Sequence, residues 1–101
     1  MNYKIKFHID AKKELDDLDG SVRMIVLRQI KKLETKPLLG EALGNIGGLD
    51  LTGFRKMYAD RKKIRIVYRI FEEEVEVFII AINKREKSKV YEIATKRKTH
   101  E

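Results

Sequence analysis

The chain contains no cysteine. Disulfide staples and thiol chemistry are therefore excluded, and a reducing, cytoplasmic setting is expected. No apolar run reaches the roughly 18 residues that a membrane span requires. The opening MNYKIKFHID lacks the apolar centre and small-residue cleavage site of an export leader. No membrane association is expected. Histidine is confined to His8 and His100, one in the first strand-like stretch and one in the tail. With so few soft ligands no metal cluster is expected, and no cofactor. P-loop, GxGxxG and GxSxG patterns are absent. There is one proline, Pro37, and there is no internal repeat or low-complexity tract.

What remains is a single small domain, 1–101, whose 43% hydrophobic content is enough for one core. Lysine and arginine total 23 against 16 acidic residues, a formal net charge of +7. Such a balance favours polyanionic partners, either nucleic acid or an acidic protein.

YKIKFHI alternates Tyr3, Ile5, Phe7 and Ile9 with polar residues, which predicts a half-buried strand. Asp10 is a candidate cap for a helix carrying Ala11, Leu15 and Leu18 on one face. Asp19-Gly20 breaks that helix, and Ser21 can cap a second one. Its stripe is Val22, Ile25, Val26, Ile30 and Leu33, with Arg23, Lys31 and Lys32 outside it, and Pro37 ends it. Leu38 to Gly48 reads as a glycine-rich loop. Three strands follow, within Leu51–Tyr58, Lys63–Phe71 and Val75–Asn83, the last two joined through the acidic turn Glu72–Glu74 as an antiparallel hairpin. The stretch from Asn83 to Arg97 then forms a short C-terminal helix that buries Val90, Ile93 and Ala94. The expected fold is α+β in the order β-α-α-β-β-β-α, an antiparallel sheet with a helical hairpin packed on one face.

The cations are distributed unevenly. Arg65 and Arg69 project from one face of one strand, Arg55 or Lys56 from its neighbour according to register, and Arg85 from the end of the last strand. Lys84, Lys87, Lys89 and Lys96 surround Tyr91. Guanidinium forks match phosphate oxygens and can stabilise added negative charge in a phosphoryl transition state. Tyrosine can stack on an unpaired base or pass a proton. Pairing of Arg65 and Arg69 with Glu74 and Glu76 is the structural alternative. The triplet Glu72–Glu74 reads as a solvated turn.

KIRIVYRIFEEEVEVFIIAINKREKSKVYEIATKR closely resembles the C-terminal half of RelE-type toxins, in the RelE/ParE superfamily of bacterial toxin–antitoxin systems. The shared pattern is Arg65-Ile66-Val67-Tyr68 on a strand, an acidic turn, an apolar strand, then Lys84-Arg85 through Val90-Tyr91. The first half of the chain matches in element order. The resemblance implies a ribosome-dependent mRNA endonuclease that acts in the A site without a metal: a 2′-hydroxyl attacks the adjacent phosphate, leaving a cyclic phosphate and a 5′-hydroxyl. It assigns Arg65 and Arg85 to the phosphate and Tyr91 to the base. Arg55, Arg69, Lys84, Lys87 and Lys89 then serve as RNA contacts, and an acidic cognate antitoxin is the protein partner. The family carries two lysines, spaced i, i+2, on the strand before the arginine strand. Here the two possible registers place Arg55 and Met57, or Lys56 and Tyr58, at those positions. Lys56 is the candidate general base, provided its neighbours lower its pKa. Two other readings stay open: a gyrase-poisoning toxin of the ParE type, against which the Arg65, Arg85 and Tyr91 set argues, and a non-catalytic basic domain that binds RNA or protein, which the missing lysine pair leaves open.

Overall fold

The computed structural model describes residues 2–85 and 90–97. Strand β1 (Lys4–Phe7) leads into helices α1 (Ile9–Asp16) and α2 (Gly20–Lys31). Short 3-10 turns at Lys32–Glu34 and Pro37–Leu39 follow. Then come β2 (Glu41–Ala42), β3 (Asn45–Ile46), β4 (Leu49–Asp50), β5 (Phe54–Ala59), β6 (Ile64–Phe71), β7 (Glu76–Lys84) and α3 (Val90–Lys96). The main sheet has the order β1-β7-β6-β5-β2. The expected α+β architecture is present, with β5, β6 and β7 antiparallel. Strand β1 adds to β7 in parallel, because the α1–α2 hairpin carries the chain back over one face before β5 begins.

Several local expectations shift. The first strand ends at Phe7 because His8 caps α1: its Nδ1 accepts from the Asp10 N–H at 3.0 Å, so Asp10 is not the cap. Ile9 thereby leaves the sheet and is 68% exposed. Asp19, not Ser21, stands at the start of α2, and it makes no side-chain capping bond. Val26, Ile30 and Leu33 are buried as the stripe requires, whereas Ile25 faces outward. The glycine-rich segment is more ordered than a loop. It contributes β2 to the edge of the sheet and a small β3–β4 hairpin.

Strand alternation divides the interior into two cores. Met57, Ala59, Ile64, Ile66, Tyr68, Val77, Ile79 and Ile82 face the helical hairpin and meet Ala11, Leu15, Val26, Ile30 and Leu33. On the outer face Phe54, Val67, Phe78, Ile80 and Ala81 meet Leu51 and the Val90 and Ala94 side of α3. Ile93 is only partly buried. A register shift opposite Val67 and Tyr68 leaves Ile80 as an extra residue on β7, which lets consecutive residues Ile80 and Ala81 both serve the outer core. The outer face is thus half covered, and the part around Tyr58 and Arg65 is left open for polar side chains.

Beyond β1 the edge of β7 is closed by side chains. Glu14 of α1 accepts from the Ile82 N–H at 3.1 Å and from Asn83 at 3.3 Å. Arg97, at the end of α3, donates to Glu14 at 2.9 Å and to the Ile80 carbonyl at 3.0 Å. This clamp ties the C-terminal helix to α1 across the edge of the sheet.

Candidate nucleic-acid interface

Tyr58 of β5 lies directly opposite Arg65 of β6, which in turn lies opposite Asn83 of β7. Paired residues in an antiparallel ladder share a face, so the register is settled: Lys56 and Tyr58 stand with Arg65, while Arg55 and Met57 turn toward the helices. The Tyr58 ring is the centre of the group. Lys56 Nζ donates to its hydroxyl at 3.2 Å. The guanidinium carbons of Arg65 and Arg85 lie 5.9 and 5.5 Å from its ring centroid. Tyr91, from α3, covers the other side of Arg65, 4.9 Å from that guanidinium. Cation–π contact with two rings helps hold the Arg65 fork in place. Arg65 Nε is buried and has no hydrogen-bond acceptor among the described residues.

Backbone geometry places Arg85. Its N–H donates to the Lys63 carbonyl at 2.9 Å, which continues the β6–β7 ladder past Lys84. The turn between β5 and β6 holds Asp60, Arg61 and Lys62 at φ of 52°, 54° and 66°, three successive non-glycine residues in the left-handed region. Each such residue costs about 1–2 kcal/mol. The turn brings Arg61, Lys62 and Lys63 beside Arg65 and Arg85 around a hollow of about 440 Å³. On the other side of Tyr58 a cleft of about 680 Å³ carries Lys32, Lys36 and Lys56. Tyr58 thus lines the cleft, and Arg65 and Arg85 beside its ring border the smaller hollow.

The titrations are coupled through the Lys56–Tyr58 contact. The Lys56 ammonium holds the Tyr58 hydroxyl below its ordinary value of 10.0, assisted by Arg65 and opposed by burial. The same hydrogen bond raises Lys56 above 10.5, against desolvation. The depression of the Lys56 pKa that a lysine base needs is not found. The reason is physical: its nearest polar neighbour is a hydroxyl that stabilises the ammonium, and Glu41 adds a smaller pull in the same direction.

Of the residues singled out in the sequence, Lys56, Arg65, Arg85 and Tyr91 come together. Arg69 shares the outer face but lies further along β6, between the Phe54 and Phe71 rings at 5.0 and 5.3 Å. Arg55 is engaged elsewhere, donating to the Gly40 carbonyl at 2.9 and 3.1 Å and to that of Leu38 at 3.3 Å. Lys84 pairs with Ile64 on the helix side and borders a hollow with Asp17, Asp19 and Asp60. Lys87 and Lys89 lie outside the described residues. Tyr58 is the member that sequence reasoning left as one register alternative. Its i, i+2 spacing from Lys56 was the available signal.

No family model matches the chain. The curated relative "mRNA interferase toxin RelE" of Escherichia coli strain K12 is 31% identical, over 96% of this chain and 98% of that one. Among solved structures, a double arginine-to-alanine mutant of the E. coli toxin RelE in the free state superposes with a TM-score of 0.79 at 28% identity, covering 96% and 98% of the two chains. A toxin–antitoxin complex from Mycobacterium tuberculosis gives a TM-score of 0.70 at 26% identity, over 84% of this chain and 93% of that one. The fold is that of a small toxin domain. The chain belongs to the RelE family of toxins.

Proposed function

We propose that this chain is the toxin of a toxin–antitoxin pair, and that it cleaves mRNA in the ribosomal A site by attack of a 2′-hydroxyl on the adjacent phosphate. The observation that carries the reading is the gathering of Arg65, Arg85, Lys56 and Tyr91 around one tyrosine ring, beside two cationic hollows. Arg65 and Arg85 bind the scissile phosphate, and their charge is most valuable in the transition state, where negative charge accumulates on its oxygens. Tyr91 offers a ring for an unpaired base. Lys32 and Lys36 on one side, and Arg61 and Lys62 on the other, follow the strand's phosphates outward. The net charge of +7 suits both the ribosome and an acidic antitoxin. The antitoxin reading is supported by relatives solved as toxin–antitoxin complexes.

The test is primer extension on mRNA programmed into ribosomes. Cuts at the A-site codon are expected, absent from naked mRNA and absent with Arg85→Ala. A folded protein that binds its antitoxin but cuts nothing would turn attention to gyrase.

A further inference from the structure

We infer that Tyr58 is the general base of the cleavage, its phenolate oxygen taking the proton of the attacking 2′-hydroxyl. This rests on the endonuclease reading above and adds to it the one group that reading lacks. A transesterification of this kind needs an acceptor for the hydroxyl proton within hydrogen-bond reach of the nucleophile. The side chains around the phosphate position offer few. Arg65 and Arg85 cannot be usefully deprotonated. Lys56 keeps its proton more tightly than a free lysine, because it donates to Tyr58.

Tyr58 has the opposite environment. Its hydroxyl receives the Lys56 ammonium at 3.2 Å, and both guanidinium groups flank its ring. Lys56 and Arg65 both favour the phenolate. The hydroxyl is held below the ordinary tyrosine value, first by Lys56 and then by Arg65, although burial resists. Among the described residues the other ionisable groups around it are Tyr91 beyond Arg65, Arg61, Lys62 and Lys63 beside Arg65 and Arg85, Lys32 and Lys36 across the cleft, and Glu41 on the neighbouring edge strand. Glu41 is the one carboxylate in that set. Position is fixed as well: Gln29 of α2 donates to the Tyr58 carbonyl at 3.1 Å, and Lys32 braces Gln29 at 2.9 Å. The side chain thus hangs from a pinned backbone in the lining of the cleft.

The proton count closes. The Tyr58 phenolate removes the 2′-hydroxyl proton as the O2′–phosphorus bond forms. The phosphorus–O5′ bond breaks, and the 5′-oxygen takes a proton from water. The Tyr58 phenol then returns its proton to the hydroxide so formed. Lys56 stays an ammonium throughout and acts by holding the phenolate, a positioning and electrostatic role.

The experiment is the single-turnover rate of A-site cleavage on programmed ribosomes as a function of pH. For the unaltered protein the rate is expected to rise with pH through the Tyr58 titration. Tyr58→Phe retains the ring and loses only the hydroxyl. It should slow cleavage by about 10²–10⁴-fold, the usual contribution of a general base, and abolish the rising limb. Placing 3,5-difluorotyrosine at position 58, a more acidic phenol, should move the limb to lower pH. Lys56→Met should move it to higher pH. If the unaltered protein cuts and Tyr58→Phe, shown to be folded by its thermal transition, cuts as fast with the same limb, the base assignment is overturned and the endonuclease reading stands. An unmoved limb with the fluorinated tyrosine overturns it equally. No cuts by the unaltered protein would overturn both.

Discussion

The two faces of the sheet are made from alternate residues of the same strands, yet they solve opposite problems. The helix side of β5 and β6 presents Met57, Ala59, Ile64, Ile66 and Tyr68, all buried. Its one hydroxyl is satisfied twice: Tyr68 donates to the Pro37 carbonyl and accepts from the Gly40 N–H, each at 2.8 Å. The outer side of the same strands presents Lys56, Tyr58 and Arg65. Among the described residues Lys56, Arg65 and Arg85 enter no ion pair, whereas Lys12 pairs with Asp16 inside α1 and Arg97 pairs with Asp10 and Glu14. The helix-side face minimises free energy by burial; the outer face does so only where Phe54 and Val67 meet the second core, and the part beside it keeps charge available for a partner. Stability and function are therefore separable by single substitutions on adjacent residues.

The largest expected effect is on the packed face. Ile66→Ala removes a fully buried side chain between the sheet and the helical hairpin and should cost about 2–5 kcal/mol of stability, read as a fall in the denaturation midpoint. Next is the loss of a phosphate donor on the outer face. Arg85→Ala should slow cleavage by about 10²–10³-fold while the thermal transition stays in place, since its side chain is exposed and makes no ion pair among the described residues. If both substitutions lowered stability alike, the division between the faces would fail. Gly40→Ala should come third, at about 1–3 kcal/mol, because an added Cβ would meet the Lys56 carbonyl and the Tyr68 hydroxyl at 2.6 Å, and neither has room to move.

The division itself was legible in the sequence, because period-2 alternation in KIRIVYRIF separates the two sets of side chains directly. The hairpin of β6 and β7 was equally plain, since the acidic turn has no apolar residue to bury before Val75. What could not be read was anything that depends on long-range register. Whether Arg55 or Lys56 stands beside Arg65 depends on how many residues the β5–β6 turn absorbs. That turn uses three left-handed residues without a glycine to announce them. The β2 strand was hidden for a similar reason: its pairing with Lys56 and Arg55 is made by the sheet edge and not by local propensity. The Lys56–Tyr58 contact was accessible as a spacing. Its consequence for the two pKa values was not, because the direction depends on which group donates and on what else surrounds the pair.

The finest test of the comparison uses neighbours in the chain, Arg55 and Lys56. Both are basic, Arg55 a sequence candidate for RNA contact and Lys56 for the general base, yet they leave β5 on opposite sides. Arg55 closes the Gly40 and Leu38 carbonyls with donors at 2.9 to 3.3 Å, in the turn that also receives the Tyr68 hydroxyl. Arg55→Ala leaves those carbonyls to find water at a half-buried edge, and a loss of about 1–2 kcal/mol is expected. Cleavage per folded molecule should remain within about twofold, the level at which a residue outside the site is no longer distinguishable from measurement scatter. Lys56→Ala should do the reverse. Its ammonium is partly exposed and, among the described residues, donates to Tyr58 alone, so stability should change by less than about 1 kcal/mol. Its loss removes the cation that favours the Tyr58 phenolate, so the rising limb of the pH–rate profile should move upward. A salt titration separates the pair further. Removing a phosphate-contacting lysine lowers the slope of log affinity against log salt by about one unit, and removing a lysine or arginine on the packed side leaves it unchanged. Equal slopes for Arg55→Ala and Lys56→Ala would mean that the RNA path wraps the sheet edge and reaches both sides, and the two faces would then be one surface.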